Sequence, residues 1–302
     1  MTPHPLPDSS LHSQAQDWLL LLTSGRATVA DGRALRAWCA QSPEHAEAFE
    51  AVCRLWRQLE PAALQASQVV PLRSFRRRAL LGGAIAASAA WVLVRGGGLL
   101  GGPSADLQTA VGEQRHVQLA QGIDLELNTQ TRVSVQGESG LHLLEGELQV
   151  KASAPMQVQA GGALLSAQLA WFNLRQEGDR VCLSCLAGQV RLQWRGRSQL
   201  LDSGKQLVYD PNQVGQPQAF DALEVMAWRE QLLVFHDAPL ARVIDEINRY
   251  RPGMLVLLNP SLGRRKVQAR FTLAQLPGVA GLIRDAYGAR CTELPGGVIL
   301  IS

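Results

Sequence analysis

Over the first sixty positions apolar residues recur every three or four places, and from about residue 103 to 225 they alternate every two. The first period belongs to helices with one buried face, the second to half-buried strands. Leu11, Ala15, Trp18, Leu19 and Leu22 share a helical face, and Gly25 closes that helix. Thr28-Val29-Ala30-Asp31 has the form of a capping box and opens a second helix with Leu35 and Trp38 on one side. Ser42-Pro43 supplies an N-cap and a first-turn proline to a third helix, lined by Ala46, Phe49, Cys53, Trp56 and Leu59. A bundle this small is marginal alone and can complete its core against a partner. Each helix carries a Trp, a residue enriched at binding hot spots, so Trp18, Trp38 and Trp56 can fill the core, present an indole edge outward, or both. Glu44, Glu47 and Glu50 on the third helix argue against binding to phosphates.

From about residue 103 the alternation takes over. Val117/Leu119, Leu125/Leu127, Val133/Val135, Leu148/Val150, Met156/Val158, Val181/Leu183 and Val190/Leu192 mark short strands, divided by glycine-bearing turns. This predicts an all-β domain over 103–225, with sandwich and solenoid-like stacking both open. Residues 226–302 change character. Strand Leu232–Phe235, a helix opened by Pro239-Leu240 with Leu240, Val243, Ile244 and Ile247 on one face, and strand Met254–Leu258 form one β-α-β unit. Strand Val267–Phe271, a helix near Val279–Ala286 and strand Arg290–Leu294 form a second, followed by a last strand Val298–Ile301. Arg249 and Tyr250 end the first of these helices, where a cation complements the helix dipole.

One segment breaks both periods. Residues 79–94 (ALLGGAIAASAAWVLV) carry no charge and extend through Arg95 and a glycine run. As a helix they would reach about 24 Å at 1.5 Å per residue, and a membrane span takes about 17–25 residues. Arg73, Arg76, Arg77 and Arg78 precede the run and would hold their side in the cytoplasm. The reading is a single transmembrane helix over 79–101. A buried Ala/Gly helix and a cleavable signal are the rivals. Only Ser88 interrupts the run, against the first, and the long amphipathic region before it stands against the second. Ser74-Phe75-Arg76-Arg77-Arg78 also looks like a twin-arginine export signal, and a plain topology cluster explains it equally. Residues 1–9 hold three prolines and read as a disordered tail, and 61–78 as a linker with its basic cluster.

Composition adds mostly exclusions. The apolar fraction of 46% is that of globular protein, and a net charge of +3 over 302 residues is no nucleic-acid footprint. Five cysteines make no disulfide framework. Cys182-Leu183-Ser184-Cys185 lies in a strand pattern, where residues three apart face opposite ways and the two sulfurs diverge. The six histidines are scattered, and no nucleophile, acid/base or metal constellation appears. No catalytic residue, metal or cofactor is expected.

The order of helical bundle, linker, span, β domain and β-α-β module resembles the FecR-type (ferric-citrate-type) transmembrane anti-sigma regulators of Gram-negative bacteria. Trp18, Ser24-Gly25, Trp38, Pro43, His45, Ala46, Phe49 and Trp56 carry the likeness in the first part. Val111-Gly112-Glu113-Gln114-Arg115, Leu144-Glu145-Gly146-Glu147, Trp228, Phe235, Pro239-Leu240 and Asn248-Arg249-Tyr250 carry it in the second. The final module is similar to the short N-terminal domain of secretins and TonB-dependent receptors. The expected fold class is therefore multidomain. It comprises a cytosolic all-α bundle (10–60), one transmembrane helix, a periplasmic all-β domain and a periplasmic α+β module of two β-α-β units. The resemblance implies an inner-membrane protein with a cytosolic N-terminus. Its bundle would bind an extracytoplasmic-function sigma factor through Trp18, Trp38, Phe49 and Trp56. Its last module, through Trp228, Phe235, Pro239, Leu240, Arg249 and Tyr250, would receive a signal from the signalling domain of a TonB-dependent outer-membrane receptor of the iron-uptake type. Envelope proteases would then release the sigma-bound fragment. An envelope assembly protein docking on a secretin-like partner is the alternative, and the Trp-bearing bundle argues against it. A tethered exported enzyme lacks the residues.

One departure has a measurable consequence. Some members self-cleave at Gly-Thr in a G-T-x-F context, and the matching stretch here is Leu169-Ala170-Trp171-Phe172. An N-to-O acyl shift needs a side-chain hydroxyl that Ala170 lacks. Purified protein is expected as one chain by mass spectrometry; a stable pair of chains cut between 169 and 170 would refute this.

Overall fold

The computed structural model describes residues 9–25, 27–66, 105–120 and 122–302. Three helices come first: α1 (Ser9–Thr23), α2 (Val29–Cys39) and α3 (Pro43–Ala66). The capping box at α2 forms as its sequence predicts. The Thr28 backbone N–H donates to the Asp31 carboxylate at 2.7 Å, and the Asp31 N–H donates to the Thr28 hydroxyl at 3.3 Å. Ala15, Leu19, Leu22, Leu35, Trp38, Phe49, Val52 and Cys53 make the shared core of the three helices.

Twelve strands follow: β1 (Leu107–Gln108), β2 (Arg115–Ala120), β3 (Ile123–Leu127), β4 (Arg132–Gln136), β5 (Gly140–Ala152), β6 (Met156–Ala160), β7 (Ala163–Ala167), β8 (Ala170–Glu177), β9 (Arg180–Trp194), β10 (Arg197–Asp202), β11 (Lys205–Tyr209) and β12 (Gln218–Ala219). Two of them are long and belong to two sheets at once. The first half of β5 pairs with β4 and β6, and its second half, from Gly146, pairs with β3 and β8. In the same way β9 pairs with β8 and β11 up to Gly188, then with β7 and β10. Strands that cross between sheets need a sharp local bend. Glycine sits at each crossing with positive φ, Gly146 at 96° and Gly188 at 73°. A Cβ at Gly146 would lie 2.5 Å from the Thr131 Cα, and one at Gly188 only 2.0 Å from the Leu169 carbonyl oxygen. Between the two sheets lies a core of alternating residues that includes Leu125, Leu127, Leu143, Leu148, Phe172, Leu183, Leu192 and Tyr209.

The last part comprises α4 (Ala222–Met226), β13 (Leu232–Pro239), α5 (Leu240–Asn248), β14 (Met254–Leu257), α6 (Pro260–Gly263), β15 (Lys266–Thr272), α7 (Val279–Tyr287), β16 (Cys291–Leu294) and β17 (Val298–Ile301). The elements of two β-α-β units are present, but they do not build one sheet. β13 pairs antiparallel with β15, while β14 runs parallel to β17, which pairs antiparallel with β16. The strands of each expected unit thus part into different sheets, and α5 packs against β13, β14 and β15. The reason lies in the residues: α5 buries Leu240, Val243, Ile244 and Ile247 in a core that takes Leu233 and Phe235 from one sheet and Leu255, Leu257 and Ile301 from the other.

The membrane-spanning fold and the inner-membrane location expected from the sequence are corrected. Among the described residues no helix is long and apolar enough to cross a membrane. The three-helix bundle, expected in the cytosol, and the last module, expected in the periplasm, share one hydrophobic core: Met254, Val256, Leu294, Val298 and Leu300 pack with the helical residues. The stretch 79–101 and Arg76, Arg77 and Arg78 lie outside the described residues.

The bend at Gly188 yields a prediction. Gly188→Ala must relieve a clash with backbone as well as adopt positive φ, whereas Gly162→Ala, at φ 75°, meets nothing within 4 Å. The left-handed conformation alone costs about 1–2 kcal/mol. Urea unfolding of the full chain should show Gly162→Ala losing about that much and Gly188→Ala clearly more; equal losses would contradict the bend.

Candidate signalling interface

Among the described residues no three His, Cys, Asp or Glu side chains could hold a metal ion. Cys185 is buried in the β core while Cys182 faces Ser184 and Gln206, so the two sulfurs point apart. The chemistry gathers where the last module meets the β domain. α5 ends at Arg249, whose backbone carbonyl accepts from the Thr129 hydroxyl at 2.9 Å and the Gln130 amide at 2.7 Å. The β3–β4 turn therefore grips the C-terminal end of α5. Gly112 supports that turn by donating to the Thr129 hydroxyl at 2.8 Å, and a Cβ there would stand 3.3 Å from the Tyr250 carbonyl oxygen.

The Arg249 guanidinium then reaches into the β domain. Nη1 and Nη2 both donate to Glu147 at 3.0 Å, and Nη1 also donates to Glu246 at 2.7 Å. Glu147 is 5% exposed and Arg249 is 8% exposed, so without Arg249 the buried Glu147 carboxylate would keep only neutral amide donors. The remaining acceptor capacity of Glu147 is used by Asn128 at 2.8 Å and Asn173 at 2.9 Å, and the same Asn128 amide donates to the Tyr250 hydroxyl at 2.6 Å. Burial raises the Tyr250 hydroxyl well above its usual range and keeps it a neutral partner here. On the other side of the junction the Gln114 amide donates to the Trp228 carbonyl at 2.6 Å.

From this junction the charges continue outward. Glu246 pairs with Arg175 at 2.6 Å, and Arg175 also pairs with Glu177. Glu177 meets Arg33 of α2 at 3.4 Å. Asp245 receives Arg33 at 2.9 Å and Arg36 at 2.7 Å. Burial by itself would raise the Glu246 carboxyl; Arg175 and Arg249 overcome that and hold it at about 2.

The structure thus brings Arg249, Tyr250 and the Trp228 backbone to one junction. Phe235, Pro239 and Leu240 lie elsewhere in the module. Phe235 is buried edge-on to Phe271 with ring centroids 6.2 Å apart, Pro239 precedes α5, and the Leu240 N–H donates to the Arg265 carbonyl at 2.8 Å. In the bundle Phe49 is fully enclosed and Trp38 nearly so, its indole donating to Gln14 at 2.9 Å. Trp18 and Trp56 are half-buried and reach the surface. Asn128, Thr129, Gln130, Arg175, Glu246, Asp245, Arg33 and Arg36 were not foreseen. Glu147 carried a signal in sequence, as a carboxylate among apolar strand residues, but its partner stands 102 positions away.

Residues 105–191 match the FecR protein family, and residues 13–55 match a domain of unknown function, DUF4880. The FecR match spans the residues Val111–Arg115 and Leu144–Glu147 that carry part of the resemblance in sequence. Two crystal structures of a "putative anti-sigma factor from Parabacteroides distasonis ATCC 8503", at 1.65 and 2.50 Å, share the fold. They are 21% and 22% identical with TM-scores of 0.54 and 0.53. Each alignment covers 65% of this chain, and 97% and 96% of theirs. No curated protein matches the chain.

The Glu246 carboxyl gives a pH dependence with a definite sign. Its folded value, about 2, lies below the roughly 4.3 of a free glutamate, so the unfolded chain binds the proton first as pH falls. Its stabilisation is complete above that range and is lost as pH falls from about 4.5 towards 2. Chemical unfolding across this window should show stability falling with acidity, and Glu246→Gln should flatten the slope; an unchanged slope would refute the assignment.

Proposed function

We propose that this protein is an anti-sigma regulator whose three-helix domain binds an extracytoplasmic-function sigma factor and whose last module receives the controlling signal. The observation that carries the reading is the order of the chain: a DUF4880 match ahead of a FecR match, on a fold shared with the two structures named above. The geometry is consistent with a regulator. Its polar groups are spent on joining domains, and the buried carboxylates face arginines rather than a cavity.

The incoming signal fits the same scheme. The resemblance implies the signalling domain of a TonB-dependent receptor, of the kind tied to iron-carrier uptake, as the partner of the last module. Arg249 and Tyr250 then serve less as contact residues than as the joint through which that module is held to the β domain.

Full-length protein used as bait in bacterial lysate, with captured proteins identified by mass spectrometry, tests the first half. An extracytoplasmic-function sigma factor should dominate the capture. A folded bait that retains none would sink the anti-sigma reading.

A further inference from the structure

The β domain and the last module keep separate apolar cores, with no residue in common. What lies between them is polar. Along β5, Leu148 and Val150 point into the β core, so Glu147 and Gln149 point out; along β8, Phe172 and Leu174 point in and Asn173 points out. An antiparallel sheet with this alternation has one face suited to water. Here that face is covered, and Glu147, Gln149 and Asn173 are all buried. The cover answers them incompletely. Glu147 has Arg249, but the Gln149 amide meets only the Met226 sulfur. The Asn173 Oδ1 and the Trp228 Nε1 are enclosed with no partner among the described residues. Polar groups left this way oppose the closed arrangement, and a buried ion pair gains little over its two hydrated halves. The chain passes from one unit to the other through residues 210–221, most of them exposed. The two-residue pairing of β12 with β11 and a bridge between Val214 and Tyr209 tie this segment back.

Domains joined by an interface that is not large and apolar are free to move against each other. We propose that this interface is a clasp: the last module lifts off the β sheet as a unit about residues 210–221, and the Arg249–Glu147 pair is its latch. Opening gives water to both ends of the latch and to the outward residues of β5 and β8, and it uncovers neither apolar core. The closed state is thus specific in geometry without being permanent. A signal taken up at the module reaches the β domain as release of its covered face. That use of the clasp rests on the reading above, in which the last module receives the signal; the opening itself does not.

The test uses the full chain carrying Gln149→Cys, a position buried beneath Met226 that holds no charge. Labelling by N-ethylmaleimide under native conditions is followed by peptide mass spectrometry. Native Cys185, buried in the β core, is the internal control that reacts only when that domain unfolds. Position 149 should label at least about tenfold faster than Cys185. Arg249→Lys keeps the charge but lacks the fork that holds Glu147, and it should raise the ratio of the two rates further. Equal rates at 149 and 185 overturn the clasp. Fast labelling at 149 that Arg249→Lys leaves unchanged is local motion of Met226, and it overturns the latch. In cells, Gln149→Leu gives Met226 an apolar partner and favours closure, while Arg249→Lys favours opening. Sigma-dependent transcription should move in opposite directions in these two variants. Transcription that neither variant moves overturns the signalling use of the clasp. A wild-type chain that governs no sigma factor overturns the reading above and leaves the labelling result to decide the clasp.

Discussion

The architecture turns on a single guanidinium. Arg249 stands almost wholly out of water at the end of α5, with Glu147 of the β domain on one side and Glu246 of its own helix on the other. A buried cation tolerates this only when its hydrogen-bond donors are answered, and a buried carboxylate likewise. Glu147 is answered by Arg249, Asn128 and Asn173 together. The requirement is geometric as much as energetic. The guanidinium fork, the Asn128 amide and the Tyr250 hydroxyl satisfy one another in one orientation of the module on the β domain. That orientation in turn places Asp245 and the β14–β17–β16 sheet where α2 meets them.

Local features were legible in the sequence because local rules generate them. The period of Leu11, Ala15, Trp18, Leu19 and Leu22 marked α1, and the Thr28–Asp31 box marked the start of α2. The strands announced themselves by alternation, and the diverging sulfurs of Cys182 and Cys185 followed from strand geometry alone. What stayed hidden depends on which strand meets which. The alternation shifts from odd to even positions at Gly146 and Gly188, which reads as a turn between two strands; nothing local says that one strand runs on through each glycine and changes sheets. The helix and strand order of the two β-α-β units fits either a common sheet or two sheets sharing a helix, so the pattern alone does not choose between them.

The functional residues divide along the same line. Arg249 and Tyr250 stand at a helix end, where a helix-dipole role is the simple account in sequence terms. Their actual surroundings come from residues more than a hundred positions earlier, beyond the reach of any local rule. Phe49 and Trp38 looked like contact residues and are also the residues the bundle needs for its own interior. The apolar runs in β14 and β17 are continuous: a short strand apolar on both faces requires a second layer, and the bundle supplies it.

The two sheet-crossing strands bear on how the chain can be divided. β9 runs from Arg180 to Trp194, and its later residues hold β7 and β10 while its earlier ones hold β8 and β11. The family match ends at residue 191, inside this strand. A fragment trimmed to that boundary would keep β8 beside β9 but remove β10 and β11 entirely, and leave Leu164 and Leu165 without Gln193 and Leu192, the residues they pair with. It would also discard Tyr209, which closes the core by donating to the Ala160 carbonyl. In engineering terms the smallest piece that can be handled separately extends past β11, and boundaries drawn from sequence likeness cut through the element that makes the two sheets one body.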